Sequence, residues 1–334
     1  MVTMSDVARA AGVSTMTVSN VLNHYPHVRP ETRERVLRAV DDLGYRVNVA
    51  ARNLRAGRTN TIGFAVPEVD RPYFAQLASR IIDRAADAGY RVVIEQTGAT
   101  KENELTAIVS SRNRMYDGLI LSPVGLGTSD RELLRVDFPI VILGETVFDA
   151  PVDHIALPNA EGTYAATRHL VERGSRRIAI MAGADDSAPP NVSTLRHGGY
   201  LRALEEAGLV ADPALAVALP ELTLSLGRLG AERLVDSGAP VDGIVCITDT
   251  VALGVMRGLA DRGLRVPDDV RVIGFDAIEE GEFSIPSLST VAPDRDEVAM
   301  LAVDLLLRRI AGEEGWTPGE FVSSFRVIAR ESTA

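Results

Sequence analysis

Residues 14–23 (STMTVSNVLN) pack hydroxyls, carboxamides and one thioether into ten positions. At helical spacing Val18, Val21 and Leu22 recur at intervals of three and four and face inward. Thr15, Met16, Thr17, Ser19 and Asn20 are left on the opposite side. They are short, as the first turn of a helix pressed against base edges requires. A second set lies downstream, just after apolar runs: Tyr73 and Phe74 after TIGFAVPEV, Glu145 after PIVILG, Thr248 and Asp249 after GIVCI, and Asp276 after RVIGF. Small ligands bind beyond strand C-terminal ends in open α/β folds, and aromatic faces there pack on a sugar or base ring. Plainer roles stand beside these: Asp249 as a helix N-cap, Asp276 as a turn residue, Tyr73 and Phe74 as aromatics that pack the lobes.

The first set needs a rigid helix to present it. Thr3-Met4-Ser5-Asp6 has the spacing of a capping box, Val7, Ala8 and Ala11 give a small apolar face, and Gly12 breaks the helix. Ser14 caps a second helix from Thr15, so residues 1–47 read as a helix-turn-helix unit of the kind whose second helix enters the major groove. A third helix starts at Pro30, with Val36, Leu37, Val40 and Leu43 as its expected buried stripe and Gly44 as its stop. Residues 48–58 (NVAARNLRAGR) have helical composition but are too short to be stable alone. A flexible linker with incidental Arg is the alternative.

The second set needs sheets. From residue 59 onward apolar strands alternate with amphipathic helices, from TIGFAVPEV to VRVIGFDA. That pattern implies parallel sheets covered on both faces and joined by right-handed crossovers. The expected fold is an all-α helix-turn-helix domain followed by an α/β body of two doubly wound lobes.

Charge divides the chain in the same place. Residues 1–58 hold nine Arg against Asp6, Glu31, Glu34, Asp41 and Asp42, a net of +4, while the whole chain carries −11, leaving −15 on the rest. A basic head on an acidic body points to nucleic acid at the head. At 334 residues and 46% hydrophobic content the chain can form more than one domain. It has no long apolar run and no secretory signal pattern, so a cytoplasmic protein without membrane association is expected. Cys246, the single cysteine, sits in GIVCIT and reads as a buried strand thiol; the five His are scattered, so no metal site is expected. No cofactor is expected either. Gly125-x-Gly127 lacks the third glycine of a dinucleotide fingerprint, and no phosphate-loop motif occurs.

Ordered segments through nearly the whole chain resemble the lactose-repressor (LacI/GalR) family of bacterial transcription regulators: VTMSDVARAAGVSTMTVSNVLN, VRPETRERVLRAVDDLGYRVN, AARNLRAG, IGFAVPEVDRPYF, HLVERGSRRIAIMAG, DTVALGVMRGL, VPDDVRVIGFDA and LSTVAPDRDEVAMLAVDLLL. The resemblance implies that Thr15, Met16 and Asn20 read bases, and that Thr3, Ser14, Thr17, Ser19 and Asn23 hold phosphates or brace the fold. It makes 48–58 a hinge helix that folds on the operator, with Leu54 as a minor-groove wedge and Arg52, Arg55 and Arg58 along phosphates; such a wedge offsets unstacking by letting a bent duplex touch more protein. It implies a periplasmic-binding-protein-like body, 59–334, with lobe 1 at about 59–160 and 291–320 and lobe 2 at about 161–290 and 321–334. Arg196 matches the family's effector-binding Arg in R-x-x-G-[YFW], completed here by Gly199 and Tyr200, and Asp276 matches a second effector ligand.

The departures are Pro158 where many relatives have an acid, Leu222 where several have a stacking aromatic, and Gly144 beside Glu145 where many have Asp. The function expected is a homodimeric, ligand-responsive repressor that binds a pseudo-palindromic operator and takes a small effector, a sugar, in the interlobe cleft. The chain stops at ESTA without a leucine heptad, so a dimer rather than a tetramer is expected. A solute-binding protein or a sugar- or nucleotide-processing enzyme on the same fold are the alternatives. The first is opposed by the helix-turn-helix, the second by the lack of a nucleophile–base set.

Overall fold

The structure is a computed structural model that describes residues 2–46, 57–112, 115–144, 151–183 and 191–334. It divides into a head, Met1–Thr59, and a body, Asn60–Ala334.

In the head, α1 (Met4–Ala11) opens with the capping box: Thr3 Oγ1 accepts from the Asp6 N–H at 3.3 Å, and Asp6 Oδ2 accepts from the Thr3 N–H at 3.0 Å. Gly12, at φ +63°, closes it in the left-handed region that favours glycine. In α2 (Thr15–Leu22) Ser14 Oγ accepts from the Thr17 N–H at 3.1 Å. Val7, Val18, Val21 and Val36 form the core. The stripe of α3 (Pro30–Asp42) is narrower than the sequence suggested. Val36 and Ala39 are buried and Val40 packs beside them, but Leu37 and Leu43 are exposed. Leu37 lies about 100° round the helix from Val36, and Leu43 sits past the last turn. Two eight-residue helices cover only one narrow face of α3.

The body runs β1 (Thr61–Val66), α4 (Pro72–Asp87), β2 (Arg91–Gln96), α5 (Lys101–Arg112), β3 (Gly118–Leu121), β4 (Ile140–Leu143), β5 (Asp153–Ala156), α6 (Asn159–Glu172), β6 (Ile178–Gly183), α7 (Val192–Glu206), β7 (Ala216–Leu219), α8 (Leu224–Asp236), β8 (Gly243–Cys246), α9 (Asp249–Asp261), β9 (Arg271–Phe275), α10 (Glu279–Phe283), β10 (Ser289–Pro293), α11 (Arg295–Ala311), β11 (Glu320–Val322) and β12 (Phe325–Ile328). One six-stranded sheet has the order β11-β5-β4-β3-β1-β2, the other β12-β10-β9-β8-β6-β7. All pairings are parallel except β10 with β12. Strands β3, β4 and β8 are buried along their whole length, as sheets covered on both faces require. Helices α4 and α11 cover one face of the first sheet and α5 the other. In the second sheet α8 and α9 lie on one face, α6 and α7 on the other.

The chain switches sheets between Ala156 and Asn159, Pro293 and Arg295, and Val322 and Phe325. These places differ by a few residues from 160, 290 and 320, because β10 stays wholly in the second sheet and β11 wholly in the first. β5 and β11 went unread in the sequence. β5 (DHIA) looks polar, yet Asp153 and His154 are buried with partners. Asp153 accepts from Trp316 Nε1 at 3.0 Å and from the Gly319 N–H at 2.9 Å, and His154 Nε2 lies 2.6 Å from the Gly144 carbonyl.

Candidate functional site

In the head, Thr15 and Met16 occupy the exposed first turn of α2, with the Met16 side chain 69% exposed. Asn20, a turn further on, is half-buried. The neighbouring hydroxyls are tied into the scaffold. Thr3 belongs to the α1 capping box, Ser14 caps α2 and lies 2.9 Å from Thr17 Oγ1, and Ser19 accepts from Asn23 Nδ2 at 3.3 Å. Arg33 Nη2 donates to the Tyr25 carbonyl at 2.9 Å and fixes the loop between α2 and α3. Arg52, Leu54 and Arg55 lie outside the described residues.

In the body the C-terminal ends of both sheets meet at a cavity of about 520 Å³. The first lobe contributes Glu68, Arg71, Tyr73, Phe74, Ser122 and Val124; the second contributes Ser193, Arg196, Glu221, Leu222, Thr248 and Asp276. Of the residues nominated from sequence, Tyr73, Phe74, Arg196, Thr248 and Asp276 therefore line one space, and Glu145 lies outside the described residues.

Arg196 lies inside α7 and not at its start. Asn191 is the N-cap of α7, and Arg196 sits in the second turn. Its guanidinium is almost fully buried. Nε donates to Asn159 Oδ1 at 2.7 Å, Nη1 donates to the Ile247 carbonyl, Nη2 lies 3.6 Å from Asp276 Oδ1, and the plane lies 3.5 Å from the Phe275 ring centroid. These contacts lock its orientation before any ligand arrives.

Asp276 (φ +110°) and Ala277 (φ +55°) both lie at positive φ, which costs about 1–3 kcal/mol each and persists only where neighbours enforce it. Here they do. The Asp276 N–H donates to the Val291 carbonyl at 2.9 Å and the Ala277 N–H to Thr290 Oγ1 at 3.2 Å. Arg295, the first residue of α11, donates to the Asp276 carbonyl at 3.2 Å and the Ala277 carbonyl at 2.8 Å. An ordinary turn needs no such clamp.

Asp249 is not the cap of α9. Thr248 is: its Oγ1 accepts from the Val251 N–H at 3.2 Å. Asp249 follows as the first helical residue, fully buried, accepting from the Ile278 N–H at 2.9 Å and the Thr290 hydroxyl at 2.7 Å. Burial raises its pKa well above the usual carboxylate range, and the nearby charge of Asp276 adds to the rise. Tyr73 and Phe74 stack edge to face with centroids 5.2 Å apart, pack on the core of the first lobe and also line the cavity. Cys246 is buried, and burial pushes its thiol pKa up, which suits a strand residue and not a nucleophile.

Asn159, Glu68, Arg71, Glu221 and Arg295 were missed. A strand-end rule finds residues that follow strands directly, and these sit at helix starts or on a loop beyond a strand end. Among the described residues, no cluster of His, Cys, Asp and Glu could hold a metal ion, and no helix is long and apolar enough to cross a membrane.

Comparison with known proteins agrees with this two-part architecture. Residues 3–48 match the family of bacterial regulatory proteins, lacI family, and residues 167–333 match the periplasmic binding protein-like domain. The HTH-type transcriptional repressor PurR of Vibrio atlanticus (strain LGP32) is 34% identical over 94% of this chain and 93% of its own length. The ribose operon repressor of Haemophilus influenzae is 32% identical over 93% of this chain and 92% of its own. A solved lac repressor dimer, bound to operator and the anti-inducer ONPF, superposes with a TM-score of 0.84 at 28% identity, covering 99% of each chain. The chain belongs to the LacI family of bacterial regulatory proteins and is a DNA-binding transcriptional repressor, not an enzyme.

Proposed function

We propose that the protein acts as a homodimer in the cytoplasm, on the nucleoid, holding a pseudo-palindromic operator until a small polyhydroxylated effector in the interlobe cavity changes its affinity. The observation that carries this is the cavity floor, where Arg196 is held ready by contacts with its own lobe and Asp276 by contacts with both lobes. A guanidinium that donates and a carboxylate that accepts match paired hydroxyls on a sugar ring, and Tyr73 and Phe74 offer apolar contact. The ribose-operon relative and the operator-bound lac repressor dimer favour a sugar effector and two-fold pairing for this chain too.

In the head, Thr15, Met16 and Asn20 meet base edges. Thr3, Ser14, Thr17, Ser19 and Asn23 brace that turn and reach phosphates. Residues 48–58 form the hinge, with Leu54 as wedge and Arg52 and Arg55 on the backbone. Domain limits are 1–47, 48–58 and 59–334. The test is a mobility-shift assay on an operator selected from random duplex, at fixed salt, with a panel of sugars and nucleosides. We expect a dimer-sized complex whose affinity changes with a sugar. Asn20→Ala should cost about 1–3 kcal/mol on the selected operator and leave random DNA unaffected. Equal losses on both duplexes refute base reading by Asn20.

A further inference from the structure

Three carboxylates and two guanidiniums, with no lysine or histidine, line the cavity among the described residues: Glu68, Glu221 and Asp276 against Arg71 and Arg196. Each cation is already matched. Arg196 faces Asp276 and spends donors on Asn159 and Ile247. Arg71, the residue before α4, is ion-paired with Glu68 one turn back on the same lobe. Glu221, exposed just beyond β7 on the other lobe, makes no ion pair within 4 Å among the described residues. Burial lowers the pKa of Arg71, and the charges of Glu221 and Asp276 hold it up, so both second-lobe carboxylates act on this first-lobe cation. At each of two helix starts by the cavity the cap already takes one N–H: Asn191 Oδ1 accepts from the Thr194 N–H and Thr248 Oγ1 from the Val251 N–H.

We propose that Glu68, Arg71 and Glu221 form a charge filter across the cavity, admitting uncharged polyhydroxylated effectors and rejecting phosphorylated or acidic ones. The proposal rests on the reading of the cavity as the effector site. A phosphate monoester brings about −1.5 to −2 charges and needs cations with unspent charge. Here it meets a lining with a surplus carboxylate, in a partly desolvated space where like charges repel strongly. A neutral polyol costs none of that. Its hydroxyls donate to Glu68 and Glu221 and accept from Arg71, joining the two lobes through one ligand.

The experiment is calorimetric titration of the full chain with matched pairs: ribose and ribose 5-phosphate, glucose and glucose 6-phosphate, cellobiose and cellobionate. In any pair that binds, the neutral member should bind at least about tenfold more tightly, the scale of one unscreened like charge nearby. E221Q, at an exposed position, and the E68Q/E221Q pair should narrow that ratio stepwise. An anionic member that binds as well as its neutral partner, or a ratio unchanged in the double variant, overturns the filter. If no member of any pair binds, the sugar reading of the cavity falls and the filter with it, while operator binding in the mobility-shift assay is judged separately.

Discussion

A fully buried aspartate beside the Asp276 loop gives the sharpest residue-scale test. Asp249 accepts from Ile278 and Thr290, with no ion pair to a guanidinium among the described residues, and burial holds its pKa well above the usual carboxylate range. A carboxyl with a raised folded pKa binds its proton more tightly in the native than in the unfolded state. Its contribution to stability is therefore largest below about pH 4 and declines as pH rises through the folded pKa. Asp249→Asn keeps the shape and removes the charge, with the Thr290 hydroxyl able to turn and accept. The variant should lose stability less steeply than wild type between about pH 4 and pH 7, the range that begins at the unfolded pKa. Denaturant titrations at several pH values measure this; a steeper decline in the variant would refute it. At this scale the sequence was partly legible. Arg196 and Asp276 stood out by position and motif, but Asn159 did not, because its role comes from a guanidinium 37 residues away in sequence. Asp249 looked like a cap because Asp and Thr are interchangeable at that position in pattern alone; only the backbone says which of the two stands outside the helix.

At the scale of elements, close helix pairs hold the second lobe together. A Cβ on Gly254 in α9 would stand 2.1 Å from the Leu224 carbonyl oxygen, and one on Gly199 in α7 would stand 2.1 Å from that of Ala160. Both obstacles are backbone, so the helices themselves must part. Gly254→Ala should destabilise by about 1–3 kcal/mol, as overpacking does. Gly198→Ala, next to a tight position but with nothing within 4 Å of its Cβ, should instead stabilise by up to about 1 kcal/mol through helix propensity. Calorimetric melting of both variants decides; melting shifts of the same sign at the two sites would sink the packing argument. The alternation of strands and amphipathic helices was legible because both faces of each sheet are covered. β5 was not, because its polarity is satisfied by Trp316 and Gly319, more than 160 residues later. Leu37 misled for the opposite reason: an apolar residue beside a true core position is indistinguishable from it until the neighbours are placed.

For the whole molecule, the body is a compact unit of its own, Asn60–Ala334, and the basic head another. Head and body can communicate only as a linkage between operator binding and effector binding. Such linkage is reciprocal: if the effector changes operator affinity by some factor, saturating operator must change effector affinity by the same factor, typically about 5–150-fold or 1–3 kcal/mol. A fragment of residues 60–334 keeps the cavity and lacks the head, so it should bind effector with the affinity of the operator-free full chain. The measurement has three arms: effector titrated into the full chain, into the full chain with saturating operator, and into the fragment. Arg295 sharpens the test, because it belongs to the first-lobe helix α11 yet clamps the carbonyls of Asp276 and Ala277 in the second lobe. Arg295→Met should shrink that coupling factor, since a residue that ties the Asp276 loop to the other lobe acts on the equilibrium that cavity and operator share. If the variant bound effector and kept the full factor, the clamp would play no part in that equilibrium, and the two lobes would be coupled to the operator by other contacts.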